Sequence, residues 1–315
     1  MYRYIIIHIF IVTFMWFQMG CDPISDVKIP KHEPRLVLNS YLIADENVLV
    51  DISYSVGILE EDEPENRLVK DASVELLENG NVIQNLIYLD TVPSVNSTDW
   101  GLYKSNFRPK ADQTYQIRAS HPVFGNIKGE VLMPPEPKVS NIRFELEAGQ
   151  DGNGDPLSAI FFTLSDPPGT NYYEIFSSMR YERELISGVE IISRLGALGD
   201  RVGNGQFFQE YSRAPGLLDD NLFDGKSQEM ALFFWSGSGQ TRNGQPVPLD
   251  IIDVTLVVRS CDQHYYEYRS LIDLHLDIQN EESPIFPAEP INAYSNISGG
   301  YGILGAYNVF EQKVY

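Results

Sequence analysis

The feature that most constrains the fold is an alternation of apolar and polar residues with a period of two. Between residues 48 and 56 every second side chain is apolar, and Asp51, Ser53 and Ser55 lie between them. This pattern is typical of an antiparallel strand that is buried on one face. Similar segments recur at 36–43, 72–78, 81–88, 101–107, 114–119 and 126–133. Because these strands are short and closely spaced, residues 35–134 are predicted to form an immunoglobulin-like or transthyretin-like β-sandwich.

Turn signals set the limits of these strands. Asn79-Gly80 separates two of them and predicts a tight hairpin. Pro134-Pro135-Glu136-Pro137 cannot lie inside a sheet, because proline lacks an N–H donor, so this segment predicts a domain boundary. The acidic run at residues 60–65 is most simply a solvated loop.

Residues 138–315 are predicted to form a second β-rich domain. Its expected strands lie near 139–147, 158–164, 172–181, 229–235 and 251–259, and residues 184–226 are expected to be long loops or an insertion. One amphipathic helix is predicted, capped by Asp262, with apolar residues at helical spacing: Tyr268, Leu271, Ile272, Leu274 and Ile278. The tail is expected to close the sheet as an edge strand.

The first twenty residues predict an export signal. Arg3 supplies one positive charge, and the apolar residues 4–17 are too few for a bilayer-spanning helix, which needs roughly 20. The apolar stretch leads into Gln18-Met19-Gly20-Cys21, which resembles a bacterial lipobox. We therefore expect cleavage before Cys21, lipidation of its thiol, and a Pro-bearing tether at residues 21–34. Each acyl methylene buried in the membrane contributes about 0.8 kcal/mol to anchoring.

Charge and cysteine content narrow the function classes. The chain carries 23 basic and 44 acidic residues, a formal net charge of −21. This balance disfavours nucleic acid as a partner and disfavours docking on anionic headgroups through a basic patch. If Cys21 is lipidated, Cys261 has no disulfide partner, and its apolar context predicts a small buried side chain.

Several segments occur in a recognisable order along the mature chain. They are Leu36-Val37-Leu38-Asn39-Ser40-Tyr41-Leu42-Ile43, Val50-Asp51-Ile52-Ser53-Tyr54-Ser55, Val69-Lys70-Asp71-Ala72-Ser73-Val74, Gly101-Leu102-Tyr103, Asn171-Tyr172-Tyr173, Tyr265-Tyr266-Glu267-Tyr268 and the tail Tyr294-Ser295-Asn296-Ile297-Ser298-Gly299-Gly300-Tyr301-Gly302-Ile303-Leu304-Gly305-Ala306. In this order they resemble the Bacteroidota outer-membrane lipoproteins called domain of unknown function 4249.

The resemblance implies a lipid-anchored protein that is often encoded beside a TonB-dependent receptor. It implies no reaction, and it carries over no site residue except the lipidated cysteine. Asp22 and Asp26 match in part the acidic signal that sends such lipoproteins to the cell surface. The cell surface is therefore favoured over a periplasm-facing position, and the orientation stays open.

Two motifs could bind a cofactor or a metal, and both have simpler interpretations. Residues 300–305 match G-x-G-x-x-G, but a dinucleotide site needs a βαβ unit, and too little chain follows. A tight turn or close backbone packing is expected instead. Asp151, Asn153 and Asp155 are spaced as at the start of a calcium loop, although turn preference explains the same composition. No cofactor is predicted.

No catalytic residue is predicted either. The chain lacks G-x-S-x-G, H-E-x-x-H and C-x-x-C, and the mature chain has four scattered histidines: His32, His121, His264 and His275. Abundant aromatic residues could bind sugars or a protein partner, with Trp100 a better exposed candidate than Trp235. We therefore expect a non-enzymatic accessory partner of a TonB-dependent receptor in nutrient uptake. The alternative is a glycan- or nutrient-binding surface module without a stable receptor partner.

Overall fold

Most of the chain is strand, with one helix in the described residues. The computed structural model describes residues 31–57, 67–92, 100–150, 156–185, 188–196, 199–200, 207–208, 216–242, 245–248, 250–280 and 294–315. The strands of the first half are β1 (Leu36–Ile43), β2 (Leu49–Tyr54), β3 (Ser73–Glu78), β4 (Asn81–Asn85), β5 (Ile87–Val92), β6 (Trp100–Lys104), β7 (Thr114–His121) and β8 (Gly125–Leu132).

The second half adds twelve strands and the helix within the described residues. These are β9 (Lys138–Gln150), β10 (Pro156–Ser165), β11 (Tyr172–Leu185), β12 (Gly188–Gly196), β13 (Gly199–Asp200), β14 (Phe207–Phe208), β15 (Gly216–Asp219), β16 (Ser227–Trp235), β17 (Gly237–Arg242), β18 (Gln245–Pro248), β19 (Asp250–Cys261), α1 (Gln263–Asn280) and β20 (Tyr301–Lys313). The predicted mostly β fold is confirmed, as is the helix near the C-terminus.

One large sheet runs through both halves of the chain. Its order is β12-β11-β19-β20-β1-β2-β6-β5, with β15 also paired to β11. A four-stranded sheet, β4-β3-β7-β8, packs on the first half of the large sheet, and a three-stranded sheet, β16-β10-β9, packs on the second half. Each half is thus a sandwich of two sheets.

β20 connects the two hydrophobic cores. It pairs in parallel with β1 on one side and antiparallel with β19 on the other. Its first part contributes Leu304 and Ala306 to the core of the first sandwich, whereas Phe310, and Val314 just after the strand, pack against the core of the second. The prediction of a closing edge strand is therefore wrong. In the first part of β20, the side chains on both faces of the strand are buried, as is usual for a central strand.

The predicted hairpin at Asn79-Gly80 is confirmed. Both residues have positive φ, 48° and 83°, and β3 and β4 pair on either side of them. Two residues with positive φ define the turn type whose twist matches a two-residue hairpin. The following strand is split, however, because the chain moves at Leu86 from the four-stranded sheet to the large sheet.

The prediction of loops at residues 184–226 is wrong where β11 to β15 form, and it is confirmed at residues 220–226, which form a turn. β11 extends to Leu185 and pairs with β12, and β15 pairs with the start of β11. The β-branched residues Val189, Ile191 and Ile192 favour a strand here. Their signal is hidden in the sequence by the Gly, Asp and Asn around them.

The proline segment lies between β8 and β9, as predicted, and polar side chains hold it against the large sheet. Pro134 O accepts a hydrogen bond from Asn308 Nδ2 at 3.3 Å, and Pro135 O accepts one from Ser260 Oγ. Residues Pro34–Tyr315 form one compact unit. The predicted domains 35–134 and 138–315 agree with the two hydrophobic cores, except that the tail contributes to both cores. That the two domains are separate folding units stays a prediction.

Candidate functional site

The start of α1 is fixed to β20 by one carboxylate. Asp262 Oδ2 accepts from the backbone N–H of His264 at 2.9 Å, and Oδ1 accepts from Tyr265 N at 3.1 Å. Oδ1 also accepts from Ala306 N at 2.7 Å, and Asp262 N donates to Ala306 O. The predicted cap is confirmed, and the same residue joins the helix to the strand beneath it.

The glycine-rich tail is held by Asn296. Its Nδ2 donates to Leu304 O at 2.7 Å, and its Oδ1 accepts from Leu304 N at 2.9 Å. At Gly302 φ is +109°, and a Cβ there would overlap the carbonyl oxygen of Leu38. The expectation of close backbone packing for the G-x-G-x-x-G match is therefore confirmed.

A buried charge cluster lies where α1 covers the large sheet. Glu174 on β11 has a side chain only 1% exposed. Its Oε2 accepts from Arg259 Nη1 at 2.5 Å and from Tyr265 Oη at 2.7 Å, while Arg269 Nε lies 3.6 Å from Oε1. Glu174 thereby connects β11, β19 and α1. Arg259 and Arg269 are each about a quarter exposed.

Aromatic rings surround this cluster. The Arg259 guanidinium lies 4.5 Å from the ring centre of Tyr307 and 4.9 Å from that of Phe176. Tyr265 makes edge contacts with Tyr41 and Tyr307. The rings exclude water and strengthen the attraction between the charges.

The same buried environment keeps the nearby Tyr265 hydroxyl and Cys261 thiol protonated and unreactive. Burial, followed by the charge of Glu174, raises the pKa of the Tyr265 hydroxyl above its usual range. Burial also raises the pKa of Cys261 well above its usual value, and this side chain is only 5% exposed. The predicted burial of Cys261 is confirmed, and its thiol stays protonated and shielded. The cluster is suited to holding α1 on the sheet.

Three carboxylates meet at another position, beside the start of β11. Oxygens of Asp166, Asp220 and Asp224 lie within 4.8 Å of one another, a spacing compatible with a divalent cation. Asp166 accepts hydrogen bonds from Tyr173 Oη at 2.6 Å and Gly225 N at 2.8 Å. Burial and the two neighbouring carboxylates raise the pKa of Asp166, against these hydrogen bonds.

The other two carboxylates also accept loop hydrogen bonds. Asp220 Oδ2 accepts from Asn171 N at 2.9 Å, and Asp224 Oδ1 accepts from Gly169 N at 2.9 Å. These bonds tie the loop after β10 to the loop after β15. We therefore interpret the three carboxylates as a structural contact that holds these two loops together. It is distinct from the predicted calcium residues.

The residues selected from the sequence fall in different places. Cys21 and the calcium candidates Asp151, Asn153 and Asp155 lie outside the described residues, as do the side chains of Trp100 and His275. His264 Nδ1 lies 2.5 Å from Tyr294 Oη at the start of α1. His121 Nε2 lies 3.2 Å from Asp71 Oδ1, far along the chain from His264.

An uncharged apolar edge, which we call the β4–β5 edge, comprises residues 81–89. β4 ends the four-stranded sheet and β5 ends the large sheet, so each pairs on one side in the described part of the chain. No charged residue occurs in this stretch. Val82, Ile83, Ile87 and Leu89 are exposed, and Ile87 is the most exposed at 67%. Strand edges of this kind bind other strands unless charges or bulges prevent it.

The other edges described in part contrast with this one. β9 has positive φ at Asn141 and Glu147, where its register with β10 shifts. β4 also has one register shift with β3, at Ile83, but residues 81–89 carry no charged side chain. It is the most exposed apolar strand surface in the described residues.

A stacked tyrosine pair lies beside the start of α1. The rings of Tyr172 and Tyr266 are 4.6 Å apart with an interplanar angle of 27°. Both are half-buried, and burial followed by the charge of Glu267 raises the pKa of Tyr172. Aromatic faces next to carboxylates can bind the apolar face and the hydroxyls of a sugar.

The fold and these sites define a mostly β protein in which one helix is fixed to a continuous sheet by buried polar contacts. The chain belongs to the family described as domain of unknown function (DUF4249), whose model matches residues 24–313. A search of curated proteins gave no match. Within the described residues, no helix has the length and apolar character needed to cross a bilayer.

Proposed function

We propose that this chain is a non-enzymatic lipoprotein of a Bacteroidota outer membrane, anchored through Cys21, with its β body favoured at the cell surface. There it serves as an accessory partner of a TonB-dependent receptor in nutrient uptake. Membership of the family supports the general class. The lipobox-like sequence before Cys21 supports the anchor.

The β4–β5 edge is the observation that best supports a protein partner. The chain has a net charge of −21, yet residues 81–89 are uncharged and expose four large apolar side chains. A neutral extended segment of the receptor can pair with this edge without bringing like charges together. The backbone would supply hydrogen bonds, and the apolar side chains would supply specificity.

The test of this function is co-purification from native membranes through a C-terminal tag. We expect the wild-type chain to recover a TonB-dependent receptor, identified by mass spectrometry. Ile87→Lys should lower the recovery about tenfold, because a charge in the centre of a protein interface typically costs more than 1 kcal/mol.

Leu222→Lys is the matched control, because Leu222 is also an exposed apolar residue but lies outside the β4–β5 edge. It should leave the recovery unchanged. Recovery of the wild-type chain without any receptor, under gentle detergent, would contradict the accessory role. Equal recovery of the receptor by Ile87→Lys would contradict the use of this edge.

A second candidate function is glycan capture, favoured by the stacked pair Tyr172 and Tyr266. Their rings lie next to Asp219 and Glu267, whose charges contribute to the raised pKa of Tyr172. A glycan array would distinguish this function from the first. Binding that Tyr266→Ala abolishes would support it, and no binding to any glycan would reject it.

A further inference from the structure

The tether enters the folded unit at one end of the first sandwich. We call this the tether end and define it by Leu36, Tyr54 and Tyr301. Leu36 is the first residue of β1 and pairs with Tyr54, and its neighbour Val37 pairs with Tyr301. Arg35, just before β1, exchanges hydrogen bonds with Ser55. The chain that leads from Cys21 is therefore attached here.

The turn between β7 and β8 lies at this same end. Asn126 and Ile127, at the start of β8, contact Gly299 and Gly300, and Gly300 also lies against Leu36 O. The ring of Phe124 stacks on Tyr54, with centres 4.9 Å apart and planes 8° apart. The turn residues 121–125 thus project beyond the point where the tether enters.

This turn is rigid and apolar at its tip. His121 also stacks on Phe124, with ring centres 4.9 Å apart, and its Nδ1 accepts from Val123 N at 3.2 Å. Pro122 and Val123 are exposed, and Val123 is 75% exposed. Residues 122–125 carry no charge. Phe124 packs against the first core, whereas the apolar side chains of Pro122 and Val123 are left exposed to water.

The tether length limits how far this tip can lie from the membrane. Residues 22–33 separate Cys21 from Pro34. As a flexible chain they would span about 20 Å, and fully extended about 40 Å. An anchor at Cys21 would therefore keep the tether end close to the bilayer, and the apolar tip is the surface at that end which suits the lipid interface.

We infer that the turn at residues 121–125 rests in the lipid interface, so that the long strands stand away from the membrane. This inference depends on the proposed lipid anchor. The contact is apolar, because residues 122–125 carry no charge and the net charge of −21 disfavours attraction to anionic headgroups. A zwitterionic bilayer is therefore sufficient for it. The tip would be buried by about 5–10 Å, near the headgroup boundary.

The test places a fluorescent probe at the tip and at the opposite end. Ile43, the last residue of β1, lies at the opposite end of the large sheet. It pairs with Tyr307, and Tyr307 pairs with Cys261. Leu222, 79% exposed, follows β15, which pairs with β11 beside that end. Val123→Cys and Leu222→Cys would each be labelled with bimane, because Cys261 is buried and Cys21 would be acylated.

The full lipidated chains are reconstituted in phosphatidylcholine vesicles with and without brominated phosphatidylcholine. We expect the brominated lipid to quench bimane at position 123 and to leave position 222 unaffected. Quenching at neither position, or at both, would overturn the inference while the anchor stands. If the chain fails to float with the vesicles, the lipid anchor itself is wrong and the inference fails with it.

Discussion

Replacing Gly302 by alanine is expected to lower the free energy of unfolding by about 3 kcal/mol or more. The backbone at Gly302 has a φ of +109°, which a residue with a Cβ adopts only with strain. The added methyl group would also overlap the carbonyl oxygen of Leu38, in the strand paired with β20. Since β20 contributes to both cores, the strand cannot move away without disturbing each of them.

Gly149→Ala is the matched control for this variant. Gly149 also lies in a strand, but its φ is not positive and a Cβ there would meet no atom within 4 Å. In urea unfolding, Gly302→Ala should show a large decrease in the free energy of unfolding. Gly149→Ala should change that free energy by no more than about 0.5 kcal/mol. Equal stabilities of the two variants would contradict the close approach of β20 to β1.

Glu174→Gln is expected to destabilise the chain by about 3–5 kcal/mol. Glutamine keeps the shape and can still accept from Tyr265, but it leaves Arg259 and Arg269 without their buried counter-charge. Arg259 is packed between Phe176 and Tyr307, so its charge cannot easily turn to solvent. The loss should appear as a lower midpoint of urea unfolding with an unchanged slope.

Glu145→Gln tests the same chemistry at the surface. Glu145 pairs with Arg143 on β9, and the two side chains are 45% and 57% exposed. An exposed pair of this kind contributes about 0–1 kcal/mol, so this variant should unfold close to the wild type. A loss at position 174 as small as that at position 145 would show that Glu174 does not hold the helix to the sheet.

The local structure could be predicted from the sequence because local patterns determine it. The alternation around Val50 and Ile52 identified β2, and the positive φ values of Asn79 and Gly80 follow from the residues themselves. Asp262 could be recognised as a cap because a short acceptor before a helical pattern satisfies its free N–H groups. These features depend on neighbours within a few residues.

The position of β20 could not be predicted in this way. Glycine is uncommon in central strands, so a glycine-rich tail suggests an edge or a turn. In the structure, Gly302 and Gly305 allow β20 to pack closely against β1 and α1, and its partner strand begins at Leu36, far away in the sequence. Alternation within one segment carries no information about such a distant partner.

The Glu174 cluster was also missed. Its members come from β11, β19 and α1, and only the fold brings them together. One signal was present: Glu174 is a charged residue within the apolar strand of Tyr173 and Ile175, and a buried acid requires a cationic partner. The sequence does not show which of the 23 basic residues supplies it.

The most direct test of the proposed function is the mass of the mature N-terminus after purification from membranes. We expect an N-terminal fragment that begins at Cys21 and carries a diacylglyceryl group on its sulfur and an acyl chain on its amine. Cys21→Ser should remain uncleaved and unacylated. A mature chain that retains residues 1–20, or that has an unmodified thiol at Cys21, would contradict the account.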